Sequence, residues 1–364
     1  MTDGEIPFET ARLETYLSAE LDVDTVEVSL LHEALNTSLL VSTAGPEEDY
    51  VLRTPEMLRD SESFLDVREE YEVLERLQAT AVDAPEPVLF CADESLIGTR
   101  FLVMAHLDGE AVPLGSRLPE RFRHPTGRRR VGLALIDALA DIHSADRNQF
   151  ADICERKTPR EQVVADIERL DEATAVTGHD PPALRDVADW LRAHAPTDPE
   201  LTLSHGDFRP GNVLFTGVDR PALTGVLDWE TAFLGDPRVE LGYLLLRWRD
   251  AGDPTPPVDE IAARCSDEAA IRKLRDANEH GLAPFTSAPG SPDRRELVDR
   301  YERLTGITVE HERFYMALAA FMLAAVWADI HRHQLAAGGP SSKAPWVEYM
   351  AMLADSIVSR EFEP

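Results

Sequence analysis

The chain has 364 residues and carries 36 Lys and Arg against 67 Asp and Glu, a net charge of −31, with 43% hydrophobic residues. That length and apolar content exclude an acidic disordered tail and leave room for a sizeable core, while the charge disfavours non-specific binding to nucleic acid or anionic membrane. Arginine supplies nearly all the positive charge, since Lys157, Lys273 and Lys343 are the only lysines. Acidity with so little lysine points to a salty, halophilic cytoplasm, where a Debye length of ~3 Å at ~1 M salt screens self-repulsion. Cys91, Cys154 and Cys265 lie far apart and match neither a disulfide framework nor zinc spacing, which suits a reducing cytoplasmic compartment. The polar stretch Met1 to Thr10 shows no secretory signal.

In chain order, residues 8–20 read as a short amphipathic helix. Three β-rich runs follow, at Thr25–Leu31, Ser38–Thr43 and Tyr50–Arg53, and the alternation of Val26, Val28 and Leu30 suits a half-buried strand. Phe64, Val67, Tyr71, Leu74 and Leu77 have helical spacing, and two more strands are expected at Val88–Cys91 and Arg100–Met104. Beyond Leu107-Asp108-Gly109 helices dominate, at Val131–His143, 160–172, 182–194, 237–249, 266–279, 293–304, 309–333 and 346–361. Segments 252–257 and 284–292 are loops by their Pro and Gly content. The apolar run Phe314–Ala328 is shorter than the ~20 residues of a membrane span and reads as a buried helix.

The chemistry concentrates in a β-rich island at 201–228. Its core is His205-Gly206-Asp207-Phe208-Arg209-Pro210-Gly211-Asn212, with Asp228 following on a second apolar run. Phosphoryl transfer needs a carboxylate to orient the attacking hydroxyl, and an amide oxygen with a second carboxylate to hold Mg²⁺ against the phosphates. Asp207 is the candidate base, and Asn212 and Asp228 are the candidate metal ligands. The spacing is that of the protein-kinase catalytic loop and its following Asp.

This stretch resembles the aminoglycoside phosphotransferase-like family, whose signature H-G-D-x-x-x-x-N is followed by an I-D-W/F segment, here Leu227-Asp228-Trp229-Glu230. Phe101–Met104 with Asp108-Gly109 is similar to the family's hinge. Leu139–His143 is similar to its L-A-x-L-H helix, and Gly235–Leu241 to its G-D-P-x-x-D-L-A segment. Val51-Leu52-Arg53 and Glu69–Leu74 resemble most the phosphotransferase domains related to those fused to acyl-CoA dehydrogenases.

The resemblance implies an α+β, two-lobed protein-kinase-like fold, with a small β-rich N-lobe (1–105) on a larger helical C-lobe (106–364). Arg53 stands where such folds place a phosphate-neutralising lysine. A guanidinium keeps its charge and grips phosphate bidentately. Glu70 is its expected partner, with Glu69 and Glu72 as rivals. Asn36 and Ser38 would add polar contacts in a phosphate loop without glycine, and main chain near Ala105 and Leu107 would meet the adenine. His205 is expected to hold the loop, Glu240 to brace it and Asp236 to cap a helix. Glu230 and Arg209 are open between contact with metal or substrate and a mutual ion pair. The implied cofactors are ATP or GTP with Mg²⁺, and the implied partner is a small-molecule alcohol, with no nucleic acid and no membrane. The rival readings are a nucleotide-binding pseudokinase with a regulatory or scaffold role, and a protein kinase. Without an evident activation loop between Asp228 and Asp236, the latter is disfavoured.

Overall fold

Alternating apolar residues build the first layer of this computed structural model. It describes residues 6, 8–33, 36–43, 49–55, 64–250, 252–253, 255–279, 282–339 and 341–360. Helix α1 (Thr10–Glu20) precedes β1 (Val26–Glu33), β2 (Asn36–Thr43) and β3 (Tyr50–Pro55), then come α2 (Val67–Leu77), β4 (Pro87–Cys91) and β5 (Phe101–Ala105). The strands form one antiparallel sheet in the order β1-β2-β3-β5-β4. Successive side chains point to opposite faces. Leu52, Phe101 and Val103 therefore pack with Leu13 and Leu17 of α1, while Val51, Leu102 and Met104 join Val73, Leu74 and Leu77 of α2 in the main core. Arg53, two residues beyond Val51, falls on the α2 face.

Helix α2 starts at Val67 rather than Phe64 because Asp66 caps it. The Asp66 carboxylate accepts the Arg68 and Glu69 amides at 2.8 Å, and the Glu69 carboxylate accepts the Asp66 amide at 2.7 Å.

The rest of the chain is mainly helical: α3 (Pro125–Ser144), α4 (Pro159–Thr177), α5 (Pro182–His194), α6 (Pro237–Arg247), α7 (Val258–Ala262), α8 (Glu268–Glu279), α9 (Arg294–Thr305), α10 (Glu312–Ala336) and α11 (Ala344–Val358). Helix α4 runs past the expected end at 172, to Gly178 in the left-handed conformation that releases the chain. Helix α10 packs on α4, α5, α6 and α11. With 25 residues it is long and apolar enough to cross a membrane by length and composition alone, since the helix runs on past Ala328 to Ala336. Two thirds of that window is buried inside the protein.

Among these helices sit β6 (Arg156–Lys157), β7 (Thr202–Ser204), β8 (Val213–Thr216), β9 (Ala222–Val226) and β10 (Phe233–Gly235). They form a sheet β6-β10-β7 and a hairpin β8-β9. β6 and β10 are too short for an alternation to announce them.

Candidate active site

The chain leaves β7 into a turn that glycine alone fits easily. Gly206 has φ +88°, and a Cβ there would stand 2.2 Å from the Thr231 carbonyl oxygen. His205 is fully buried, with Nδ1 accepting the Asp207 amide at 3.2 Å and Nε2 donating to the Leu227 carbonyl at 2.7 Å. Both ring nitrogens are committed to backbone on either side of the hairpin. The Glu240 carboxylate, from the first turn of α6, accepts the His205 amide at 3.0 Å, the Gly206 amide at 2.6 Å and Nε2 of His143 at 3.1 Å. Nδ1 of His143 then accepts from the Tyr301 hydroxyl at 2.7 Å. Burial pushes the Glu240 carboxyl up, but His143, His205 and the amide bond outweigh it and hold the group below its ordinary value. Asp236 caps α6 through the Arg238 amide.

Asp207 is held on three sides. Oδ1 accepts the Tyr243 hydroxyl at 2.5 Å, and Oδ2 accepts Nε of Arg209 at 3.0 Å and Nδ2 of Asn212 at 2.9 Å. Burial pushes this carboxyl up. The Arg209 and Arg247 guanidiniums and the Tyr243 hydroxyl outweigh it, so the group stays below the usual aspartate value and ionised at neutral pH. Arg247 lies 3.7 Å from the Tyr243 ring and donates to the Tyr243 carbonyl at 3.0 Å. Gly211 makes room for Arg209, since a Cβ there would lie 2.1 Å from Nη1 of Arg209.

The β8-β9 hairpin brings the second carboxylate over. Val213 pairs with Val226, and the Leu227 amide donates to the Asn212 carbonyl at 2.8 Å, so Asp228 emerges beside Asn212. Asp228 is itself left-handed, at φ 68° and ψ 59°, which turns its side chain out of the strand line. Nη1 of Arg53 lies 2.8 Å from Oδ1 of Asp228 and 2.9 Å from Oε1 of Glu70, while Nη2 lies 2.8 Å from Oε2 of Glu230. Arg53 is only 3% exposed. Burial pulls its pKa down, but the three carboxylates more than reverse that, so it is a fixed cation. The Leu65 amide, just ahead of α2, donates to the Glu230 carbonyl at 2.8 Å and ties the sheet's helix to the turn after β9.

The structure thus gathers Asp207, Asn212, Asp228, Arg53 and Glu70. Glu69 and Glu72 are engaged elsewhere, with the Asp66 amide and with Arg68. Glu230 and Arg209 do not pair with each other; Glu230 goes to Arg53 and Arg209 to Asp207. Ser38 stands directly opposite Arg53 in the β2-β3 register. Asn36 opposes Pro55, but its side chain and residues 34–35 lie outside the described residues. At the hinge, the Ala105 amide donates to the Glu86 carbonyl and the His106 amide to the Asp49 carbonyl, so both N–H groups are paired within the protein. The Leu107 amide has no partner among the described residues.

Sequence reading missed Tyr243 and Arg247. The signal was present: Glu240, Tyr243 and Arg247 stand at i, i+3 and i+7 and share one face of α6. No cluster of three or more His, Cys, Asp or Glu suited to a metal occurs among the described residues. The site instead offers oxygen donors of the kind Mg²⁺ takes alongside substrate phosphates. The Asn212 amide nitrogen is spent on Asp207, which leaves its Oδ1 for a cation, and Asp228 is half exposed.

A model of the phosphotransferase enzyme family matches residues 28–275. Acyl-CoA dehydrogenase family member 11 of Gallus gallus is 32% identical over 282 residues, covering 74% of this chain and 32% of that protein. The Homo sapiens protein of the same name is 26% identical over 279 residues, covering 73% and 31%. The chain therefore spans about a third of the length of these curated relatives. Among solved structures, a Ralstonia eutropha protein provisionally assigned as an aminoglycoside phosphotransferase superposes with a TM-score of 0.73 at 21% identity, covering 98% of this chain and all of that one. A GDP complex of aminoglycoside 2′-phosphotransferase-IIIa gives 0.59 at 16% identity, covering 97% and 98%. These likenesses establish the two-lobed, kinase-like α+β fold.

Proposed function

This chain belongs to the phosphotransferase enzyme family, and on that premise we propose that it moves the γ-phosphoryl group of ATP or GTP to a hydroxyl of a small-molecule acceptor. The observation that carries this reading is the posture of Asp207, an ionised carboxylate fixed by Tyr243, Arg209 and Asn212 beside the half-exposed Asp228. Asp207 would accept a hydrogen bond from the acceptor hydroxyl, orient its lone pair toward the phosphorus and take the proton as the new ester forms. Arg53 would neutralise nucleotide phosphates, aimed by Glu70 and Glu230. Asn212 and Asp228 would hold Mg²⁺, which when bound neutralises the phosphate oxygens. Arg209, between Asp207 and open solvent at about a third of its surface, would meet the charge that builds on the transferred group. Bringing the reactants together supplies most of the acceleration in such chemistry. Neighbours of this fold include a Plasmodium vivax ethanolamine kinase and aminoglycoside phosphotransferases, which fits a small alcohol as acceptor.

The test is a screen of a cellular metabolite pool with Mg-ATP and Mg-GTP in molar KCl, followed by mass spectrometry for products heavier by one phosphate. Nucleotide binding without any phosphorylated small molecule would favour the pseudokinase reading, and labelled lysate proteins would favour a protein kinase.

A further inference from the structure

A cavity of about 300 Å³ opens between the segment after the hinge and the loop before α9, lined by Arg117, Arg123 and Arg128 with Leu118 and Phe285. No acidic side chain lines it. That is unexpected in a chain where acids outnumber bases by 67 to 36. Arg123 donates through Nε to the Leu118 carbonyl at 2.6 Å, and Arg128 through Nη1 to the Pro289 carbonyl at 3.0 Å. Neither forms an ion pair with a carboxylate among the described residues. A guanidinium carries five N–H donors, so each keeps most of its capacity for an anion.

Both walls of this cavity connect through short segments to elements around Asp207: one to the loop at Pro210, the other to the end of α6. On one side the Val112 amide donates to the Pro210 carbonyl, and the Gly115 amide donates across to the Leu282 carbonyl. Arg117 follows Val112 by five residues, at most about 18 Å along the chain. On the other side, Phe285 packs edge-on against Trp248, which directly follows the α6 turn holding Tyr243 and Arg247.

We propose that this cavity binds a phosphate-class anion, and that the anion is the remote end of the acceptor whose hydroxyl reaches Asp207. The proposal rests on the phosphotransfer reading and narrows the acceptor to an extended alcohol bearing a phosphate at its far end. Arginine clusters suit such a group because the planar fork pairs with its oxygens bidentately. The apolar floor of Leu118 and Phe285 would receive the chain linking the two ends.

Two measurements test it, with the nucleotide site filled by saturating Mg-ADP in the first. Inorganic pyrophosphate is titrated by calorimetry into wild type and Arg123→Ala/Arg128→Ala. The site predicts a loss of affinity of about tenfold or more; equal affinity overturns it, whatever turnover does. Arg117→Ala, at an exposed position, repeats the comparison if the double variant does not fold. Second, a series of ω-hydroxyalkyl phosphates of increasing length is compared with the matching diols as acceptors. The acceptor role predicts a lower KM for the phosphates that the double variant abolishes with kcat unchanged. Equal KM values, or pyrophosphate altering turnover without competing, would assign the cavity to a free-anion effector and overturn the anchoring role. Intact pyrophosphate binding with no phosphoryl transfer to any acceptor would count against the phosphotransfer reading instead.

Discussion

Arg53 and Asp228 lie 175 positions apart in sequence, yet Nη1 of one meets Oδ1 of the other at 2.8 Å. The contact joins the third strand of the N-terminal sheet to the end of the β8-β9 hairpin. Glu70 and Glu230 complete a cage around the cation. Removing the cation strands buried carboxylates, so Arg53→Met is expected to destabilise the protein by about 3–5 kcal/mol. Arg53→Lys should keep the fold and weaken nucleotide binding, because a point charge cannot meet three carboxylates in a plane. Denaturant titration and nucleotide affinity read the two effects. A methionine variant as stable as wild type would show that the cage contributes nothing to the fold.

For the base, Asp207→Ala should lower turnover by ~10²–10⁴ with an unchanged circular-dichroism spectrum. Tyr243→Phe removes one of its three hydrogen bonds and should give a smaller loss. It should also shift the acidic limb of the rate profile upward, since that hydroxyl helps hold the Asp207 carboxyl low. Near-normal turnover in the alanine variant would take Asp207 out of the chemistry.

Two glycines of the loop should fail in different ways. At Gly206 an added Cβ meets backbone, the Thr231 carbonyl, at positive φ, so Gly206→Ala should be strongly destabilising. At Gly211 the Cβ meets only the end of the Arg209 side chain, which can swing away. Gly211→Ala should therefore change Tm little while lowering turnover about tenfold, the loss of roughly one charge-assisted hydrogen bond to Asp207. Comparing Tm with kcat for both variants separates the cases. A Gly211→Ala enzyme of full activity would mean that Arg209 has no part in the reaction.

Burial pushes the Asp166 carboxyl up to about 6, against the opposing pull of Arg169 and Lys157. A carboxyl that binds its proton more tightly when folded stabilises the fold as pH falls from about 6 toward the ordinary value of 3.8, and is a burden above it. Asp166→Asn should flatten the stability profile in that window and raise stability at pH 7. Parallel denaturation curves for wild type and variant across the window would show that Asp166 titrates normally.

The excess of acid predicts loss of structure or activity as salt is lowered from molar to ~50 mM, where screening is weak and repulsion reaches well beyond contact distance. Unfolding midpoints in a KCl series measure it, and a midpoint independent of salt would remove the halophilic reading.

Spacing made the motif residues legible. Asp207, Asn212 and Asp228 could be named together because a loop and a hairpin fix them within a short stretch of chain. Glu70 was distinguishable from its neighbours only in part, since the Asp66 cap that occupies Glu69 depends on where α2 begins. Tyr243 and Arg247 share a helical face with Glu240, but nothing local says that the face meets the loop at 205–212. The bond from the Ala105 amide to Glu86 lay beyond reach for the same reason, as it depends on how the ends of β4 and β5 approach each other.

Glu240 reaches from α6 to two consecutive amides, those of His205 and Gly206, with one carboxylate. An aspartate rooted at the same point would stop about 1.5 Å short, the length of one carbon–carbon bond. The helix therefore works as a jig whose stand-off is set by a single methylene. Any lineage that exchanges the longer acid for the shorter one must slide the whole helix inward to keep the turn in shape.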